Sequence, residues 1–215
     1  MISNFFDLNK NFKYLILFPY IFWLLLICIY IFNSDLIKAG QLDGLVKYGN
    51  DSSRYIDDAK KFLNFDFTDL HTSKISYIFL ISVIFFFNLN LTSIVIIQFL
   101  TTIISSICLY LIARNLFSKW VGLICLFLFF NYIPIQLRNF YILTEILFIN
   151  FSIILIYLCF FKQNHKIIIL SISLFILFLR PQGFLILLSL FFTVILFSKL
   201  NKIYNFIFKI ILIFL

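Results

Sequence analysis

Residues 91–113, which read LTSIVIIQFLTTIISSICLYLIA, decide the fold class of this chain, because they carry no charge over the whole run. A helix needs about 20 such residues to cross the hydrocarbon core of a bilayer. A second run of similar length lies at residues 140–161 and has one charged side chain, Glu145. Both runs predict transmembrane helices.

The composition of the whole chain agrees with these two runs. Of its 215 residues, 63% are hydrophobic and 12% are charged, and the mean hydropathy is +1.09. Soluble proteins are about half apolar and about one quarter charged, so a soluble, disordered or disulfide-stapled secreted protein is excluded. An outer-membrane barrel is excluded because its strands alternate apolar and polar residues. We therefore predict an all-α, polytopic bundle of transmembrane helices.

Five further apolar runs bring the predicted number of spans to about six or seven. The first, at residues 14–32, follows Lys10 and Lys13 and lacks a cleavage site, so it is predicted to be an uncleaved anchor with residues 1–13 in the cytoplasm. The next three are shorter and would cross only with flanking residues or local thinning of the bilayer. The last stops without a polar tail, as a truncated span would. These four later runs lie at 120–135, 167–179, 184–197 and 203–215.

One long polar stretch separates the first span from the run at 91–113. Residues 33–74 hold seven of the nine acidic side chains, so we predict an outer loop, extending to residue 90, that contains short interfacial helices. One such helix is predicted to begin at Asp51 or Ser52, both of which suit an N-cap. On it, Asp51 and Tyr55 share one face, and Asp58 lies beside that face. In the simpler interpretation, Asp51 only caps the helix.

Residues 75–87 decide the topology, because a span at this position would move every later loop to the other side. The run has only 13 residues before Asn88. If it lies in the interface, the later basic pairs all fall on the cytoplasmic side, as the positive-inside rule expects. We therefore predict a bundle at 91–202 and a multi-pass protein of the cell (inner) membrane. The net charge of +8 then reflects topology, and no nucleic-acid partner is predicted.

Three charged residues near the outer ends of the spans are candidates for binding. Glu145 would cost about 2.5 kcal/mol in the middle of a span and less near its end, so it needs a partner, either Arg138 or Arg180. Alternatively, its carboxylate reaches water at the interface. The Arg-Pro-Gln-Gly turn at 180–183 does not itself require arginine. The guanidinium suits a lipid phosphate or diphosphate, although snorkelling to ordinary headgroups would also explain it.

The cysteines and histidines do not predict a metal site. All four cysteines fall within apolar runs, and the two histidines are isolated, without the spacing of zinc ligands. We predict no metal ligands, while the aspartates of the outer loop leave a divalent cation open as a cofactor.

Four short motifs follow one another along the chain. They are a Gly-x-Asp-Ser-x-x-Tyr-x-x-x-Ala sequence in the first loop, a span that ends in tyrosine, arginine and Leu-Phe, a Thr-Glu pair, and an Arg-Pro-x-Gly turn. They lie at residues 49–59, 110–117, 144–145 and 180–183. Their order resembles that of the GT-C class of integral membrane glycosyltransferases, which includes protein O-mannosyltransferases and lipid A aminoarabinose transferases. The resemblance covers roughly residues 14–198.

This resemblance implies a glycosyltransferase with the GT-C fold that moves a sugar from a polyprenyl-phosphate donor to an acceptor hydroxyl at the outer face of the membrane. It implies that Asp51 is the catalytic base and that Glu145 helps to bind donor or acceptor. We expect Arg180, with Arg138 as a second candidate, to hold the donor phosphate and to stabilise its departure. The expected substrate-binding residues are Arg180, Glu145, Arg138, Tyr55 and Asp58.

Two other functions stay open. A transporter or flippase for a lipid-linked saccharide would use similar groups at the outer face, but it should also carry polar residues through the depth of the bilayer. A non-catalytic partner of a second membrane subunit is the other alternative. Co-purification of a second polytopic chain would distinguish it from a self-sufficient enzyme.

Overall fold

The computed structural model describes residues 10–32, 46, 48–49, 51–70, 72–162 and 164–197. In these ranges the regular structure is helical and no strand occurs, which confirms the predicted all-α class. The predictions for residues 1–9, for most of the loop before residue 46 and for residues 203–215 lie outside the described residues. The helices are α1 (Lys10–Phe32), α2 (Ser52–Leu63), α3 (Ile75–Phe86), α4 (Thr92–Leu116), α5 (Lys119–Asn131), α6 (Ile133–Leu137), α7 (Thr144–Phe161), α8 (Lys166–Leu179) and α9 (Gln182–Phe197), with 3₁₀ turns at Thr72–Lys74 and Arg138–Phe140.

Two helices are long and apolar enough to cross a membrane: α4, with 25 residues, and α7, with 18. A third crossing results if α5 and residues 133–140 form one broken span, since the two pieces are bent by 58°. The apolar parts of α1, α3, α8 and α9 are shorter helices of 10–17 residues. The described part of the chain therefore contains two or three candidate spans by length and composition, as a membrane protein does.

α4 is the central helix of the bundle, because it packs along both α5 and α7. α8 lies against α7, α9 and α3, and α1 lies against α5. The indole of Trp23 in α1 is 2% exposed and stacks on the ring of Phe130 in α5, with 4.8 Å between ring centroids. The outward faces of α1 and α4 carry exposed leucine and isoleucine side chains, as expected of surfaces that meet lipid.

α2 is the helix predicted in the polar loop, and Asp51, one of the two residues expected there, occupies its N-cap position. It buries Tyr55 and Ala59 and packs along α3. With 12 residues, α3 rises about 18 Å, whereas the hydrocarbon core of a bilayer is about 30 Å thick. α3 is therefore one of the shorter apolar helices, and it packs against α2 and α8.

The run predicted at residues 120–135 is broken in the structure. The break lies at Tyr132, whose backbone is not helical (φ −77°, ψ 76°), and Pro134 follows in the first turn of α6. Proline has no N–H with which to continue the hydrogen-bond ladder of α5. The chain then passes through a 3₁₀ turn and a non-helical stretch at residues 141–143, which is extended at Tyr141 and Leu143, so α7 begins at Thr144 rather than at residue 140.

A network of uncharged polar side chains lies next to this break. Trp23 Nε1 donates a hydrogen bond to Gln136 Oε1 at 2.9 Å. Thr102 Oγ1 donates to Asn139 Oδ1 at 2.8 Å, and Asn150 Nδ2 donates to Thr102 Oγ1 at 2.9 Å. Because a buried amide in an apolar bundle requires partners, these bonds stabilise the bend of the chain inside the fold.

Candidate functional site

Several charged side chains meet at one end of the bundle. This end is formed by the start of α2, the 3₁₀ turn before α3, the first turn of α7 and the residues that follow α8. Gln98, near the start of α4, belongs to the same end, because its amide contacts the backbone of residues 141 and 143. We call this region the charged end.

An ion pair between Glu145 and Arg180 lies at the centre of the charged end. Arg180 Nη2 is 3.0 Å from Glu145 Oε1, and the two side chains are 24% and 20% exposed. Glu145 lies in the first turn of α7, where the helix dipole favours a negative charge. Arg180 follows the last residue of α8 in an extended conformation, and its guanidinium lies over the ring of Phe148 at 5.9 Å. Of the two predicted partners of Glu145, Arg138 and Arg180, the one that binds it in the structure is Arg180.

The pair does not use all of its hydrogen-bonding atoms. Within the described part of the chain, Glu145 Oε2 and Arg180 Nε are buried and make no hydrogen bond. The same holds for Gln98 Oε1 and Thr144 Oγ1, which belong to the same end. Most buried polar atoms in native proteins are bonded, so this cluster of unsatisfied atoms marks the charged end as unlike the satisfied network in the bundle.

Asp51 projects from the N-terminus of α2 without capping it. Its side chain makes no cap hydrogen bond, and it is 51% exposed. Arg54, which is 56% exposed, lies 3.7 Å away, and an ion pair between two such exposed groups contributes little to stability. The simpler interpretation, in which Asp51 only caps its helix, therefore does not describe this carboxylate.

Ser52, rather than Asp51, fastens α2 to the bundle. It is fully buried; its Oγ accepts a hydrogen bond from the N–H of Gly49 at 2.7 Å and donates one to the carbonyl oxygen of Ile142 at 2.9 Å. On the other side of the same extended stretch, Gln98 Nε2 donates to the carbonyl oxygens of Tyr141 at 3.1 Å and Leu143 at 3.4 Å. Three successive carbonyls in front of Glu145 are thus held in place.

Lys74 is a second cation at the charged end, and the sequence analysis did not identify it as a site residue. Its turn packs against α8, and its ammonium lies 5.9 Å from the centre of the Tyr55 ring. Burial lowers the pKa of Lys74, as does the positive charge of Arg180, while Glu145 and Asp51 oppose this shift. The Lys74 ammonium is therefore within electrostatic reach of the ion pair and of Asp51.

Tyr55 lies beneath these charges. It is 3% exposed and meets the ring of Tyr77 edge-on, with 5.4 Å between centroids. Burial raises the pKa of the Tyr55 phenol, and the negative charges of Asp51 and Glu145 raise it further. Because its ring is enclosed by protein, Tyr55 is a buried residue of the charged end and offers little surface to a ligand.

Two of the predicted site residues do not take part in the ion pair. Arg138 is exposed. It was expected on one helix face with Glu145, two turns earlier; instead, the non-helical stretch at 141–143 separates them. Asp58 is 4% exposed, so it belongs to the packed side of α2 rather than to an open binding surface.

The residues of the charged end suit an anionic ligand better than a metal ion. Among the residues that the structure describes, no group of three or more His, Cys, Asp or Glu side chains is placed to hold a metal. Arg180 and Asp51 both act electrostatically on Lys74, so two cations and a half-exposed carboxylate share this end, an arrangement that suits a phosphate group and a proton acceptor.

Comparisons of the chain with protein-family models, with curated proteins and with solved structures find no match.

Proposed function

We propose that the chain is a membrane glycosyltransferase, which moves a sugar from a polyprenyl-phosphate donor to an acceptor hydroxyl. One observation supports this proposal most directly. The Asp51 carboxylate is half exposed and makes no cap hydrogen bond. Its negative charge and the positive charge of Arg180 both shift the pKa values of Tyr55 and Lys74. A proton acceptor and phosphate-binding cations at one end of an apolar bundle are the groups that this transfer requires.

In the proposed complex, the donor phosphate binds at Arg180 and Lys74. Arginine offers planar paired donors and a fixed positive charge, while lysine adds a second charge with rotatable donors. Glu145 already binds one Nη of Arg180, so it orients the guanidinium and leaves other N–H groups for the ligand. Both cations then stabilise the phosphate as it departs, which is the role of a preorganised charge in a transition state.

Asp51 is the proposed general base. The acceptor oxygen attacks the anomeric carbon and forms a new C–O bond, its proton passes to the Asp51 carboxylate, and the bond from carbon to the phosphate oxygen breaks. The polyprenyl phosphate leaves with the bonding electrons. By analogy with inverting glycosidases, such a direct displacement inverts the anomeric centre.

The proposal includes a topology. The charged end faces the outside of the inner membrane, the N-terminus faces the cytoplasm, and the short helices join α4 and α7 in a total of about six or seven spans. Cysteines placed at Lys74 and Asn90 and labelled in intact cells test this topology. Both positions should react with a reagent that does not cross the membrane, and protection of either position from it would contradict the arrangement.

A transporter is less well supported by the interior of the bundle. Its buried polar side chains, such as Thr102, Asn139 and Asn150, are uncharged and bond to one another. Side chains that satisfy one another in this way stabilise helix contacts. A pathway for a charged lipid-linked saccharide would need ionisable or water-accessible groups at this depth.

The test compares Asp51→Asn with Asp57→Asn, a control on the exposed side of the same helix. The purified proteins are reconstituted in liposomes with radiolabelled polyprenyl-phosphate hexoses and pentoses and with an alkyl-glycoside acceptor. Loss of a general base should lower the transfer rate by about 100-fold or more, while Asp57→Asn should retain it. Equal rates for the two variants would remove Asp51 from the mechanism, and absence of transfer by the unmodified chain with every donor would contradict the proposed function.

A further inference from the structure

A surface of exposed aromatic and aliphatic side chains lies on α3 and the loops at its two ends. Each of its members is between 51% and 83% exposed. Two of them, Phe65 and Phe67, lie within the polar stretch at residues 33–74. We call it the aromatic surface, and its members are Phe65, Phe67, Phe79, Phe86, Phe87 and Leu89.

Ring contacts and helical spacing connect four of the members. The ring of Phe62 meets Phe67 edge-on at 5.6 Å and meets Phe79 edge-on at 6.1 Å. Phe86 follows Phe79 by two helical turns and therefore lies on the same face of α3. Its ring is 5.4 Å from that of Phe87. Phe65 and Leu89 flank these four members in the sequence, so the loop after α2 and the end of α3 both expose apolar side chains.

In the loop after α2, Phe65 is exposed and its backbone adopts an unfavourable conformation. Phe65 has φ of 57°, in the left-handed region that disfavours bulky residues. The loop is fixed by Asp66, whose Oδ1 accepts hydrogen bonds from the backbone N–H of Thr68 at 3.1 Å and from its Oγ1 at 2.6 Å. A strained backbone that exposes a phenyl ring is unfavourable in water, so the direction of this ring points to an apolar surrounding.

We propose that the aromatic surface inserts into the bilayer, at the boundary between the headgroups and the acyl chains of the leaflet at the charged end. The opposite face of α3 is buried in the protein, with Tyr77 and Ile81 fully enclosed. The aromatic surface also leads directly into a lipid-facing row, because Leu89 lies three residues before α4, the longest candidate span. That row consists of Ile96, Leu100 and Ile104, which are all exposed and recur at every fourth position.

The exposed carboxylates of the same loop set the depth of insertion. Asp66 lies between Phe65 and Phe67, and Asp69 follows two residues after Phe67; both are exposed, so they remain at the level of the headgroups and water. Amphipathic segments of this kind bury their apolar face about 5–10 Å into the boundary. The insertion fixes the height of α2 above the membrane, and it does not depend on the chemistry proposed for Asp51.

The test places tryptophan at single positions of the full-length chain in proteoliposomes. The variants are Phe65→Trp and Phe67→Trp, with Asp57→Trp as the control on the exposed side of α2. None of these side chains is buried in the core, so the variants should fold, and circular dichroism checks this. The fluorescence added over that of the unmodified chain is quenched either by lipids brominated near the headgroup end of the acyl chains or by aqueous iodide.

For both phenylalanine positions, brominated lipid should quench the added fluorescence at least about twofold more than at position 57, as insertion to this depth requires. Iodide should show the reverse order. Quenching by iodide equal to that of the control would overturn the proposal. Protection from both quenchers would overturn it as well, because it would indicate a protein partner or a second copy of the chain on this surface.

Discussion

The hydroxyl group of Ser52 donates a 2.9 Å hydrogen bond to the carbonyl oxygen of Ile142, and this bond ties the start of α2 to the extended stretch in front of α7. It connects two parts of the chain that are separated by 90 residues. Asp51 directly precedes Ser52 in the sequence, and Glu145 follows Ile142 by three residues. Their mutual placement therefore depends on a serine that itself carries no charge.

We predict that Ser52→Ala lowers both stability and transfer. The substitution leaves the N–H of Gly49 and the carbonyl of Ile142 without their partner in a buried setting, which costs about 1–3 kcal/mol. Ser53→Ala is the control, because the neighbouring serine is exposed. Thermal unfolding in detergent measures the difference in stability. Equal unfolding midpoints for the two variants would show that the bond does not stabilise the fold.

The ion pair between Glu145 and Arg180 should show energetic coupling. Either Glu145→Gln or Arg180→Gln leaves a partly buried charge without its partner, and the double variant removes both charges. We expect the double variant to be less destabilised than the sum of the single variants, by about 0.5–3 kcal/mol. A denaturant series in detergent measures this cycle. Arg54→Gln serves as an exposed control with little effect, and strict additivity at Glu145 and Arg180 would contradict a coupled pair.

Lys74 should make the binding of a phosphate ligand sensitive to alkaline pH. Its pKa is lowered from 10.5 by burial and by Arg180, so in the folded protein it loses its charge at a lower pH than an ordinary lysine does. Affinity for a polyprenyl phosphate should fall as the pH rises through that lowered pKa, since the charge of Arg180 persists. Stability should rise over the same range, up to pH 10.5, because the unfolded chain then binds more protons than the folded one.

The substitution Lys74→Met separates this effect from general alkaline damage. In this variant the decline in affinity should disappear, and affinity near neutral pH should already be reduced. Lys60→Met, on the exposed side of α2, should retain the profile of the unmodified chain. Binding of a fluorescent polyprenyl phosphate to the reconstituted protein provides the measurement, and an unchanged profile in Lys74→Met would exclude this lysine from the site.

Local features of the sequence predicted much of the helix pattern. The run at 167–179 corresponds to α8 within one residue, and α2 begins after Asp51, one of the two predicted N-caps. These elements depend on signals that act over a few residues, namely unbroken apolar runs and turn-forming residues before a cap. Glu145 and Arg180 were identifiable for a similar reason, since a charge within an apolar run is conspicuous.

Features that depend on tertiary packing were not predictable in this way. The placement of Lys74 follows from the contact of its 3₁₀ turn with α8, which no local pattern indicates. Arg138 was assigned to the helix of Glu145 because helical spacing was extended across residues 141–143, where the chain is extended instead. The single proline at 134 was the available signal for the break, but the apolar residues around it concealed its effect.

The break at Tyr132 has a consequence for how the protein reaches its membrane. α5 has 13 residues, which offers the translocon less apolar length than an independently inserting segment needs. The turn that follows carries the amide side chains of Gln136 and Asn139, which are unfavourable in lipid until Trp23 and Thr102 form hydrogen bonds with them. We therefore expect this segment to enter the membrane together with α1 and α4 rather than as an independent crossing.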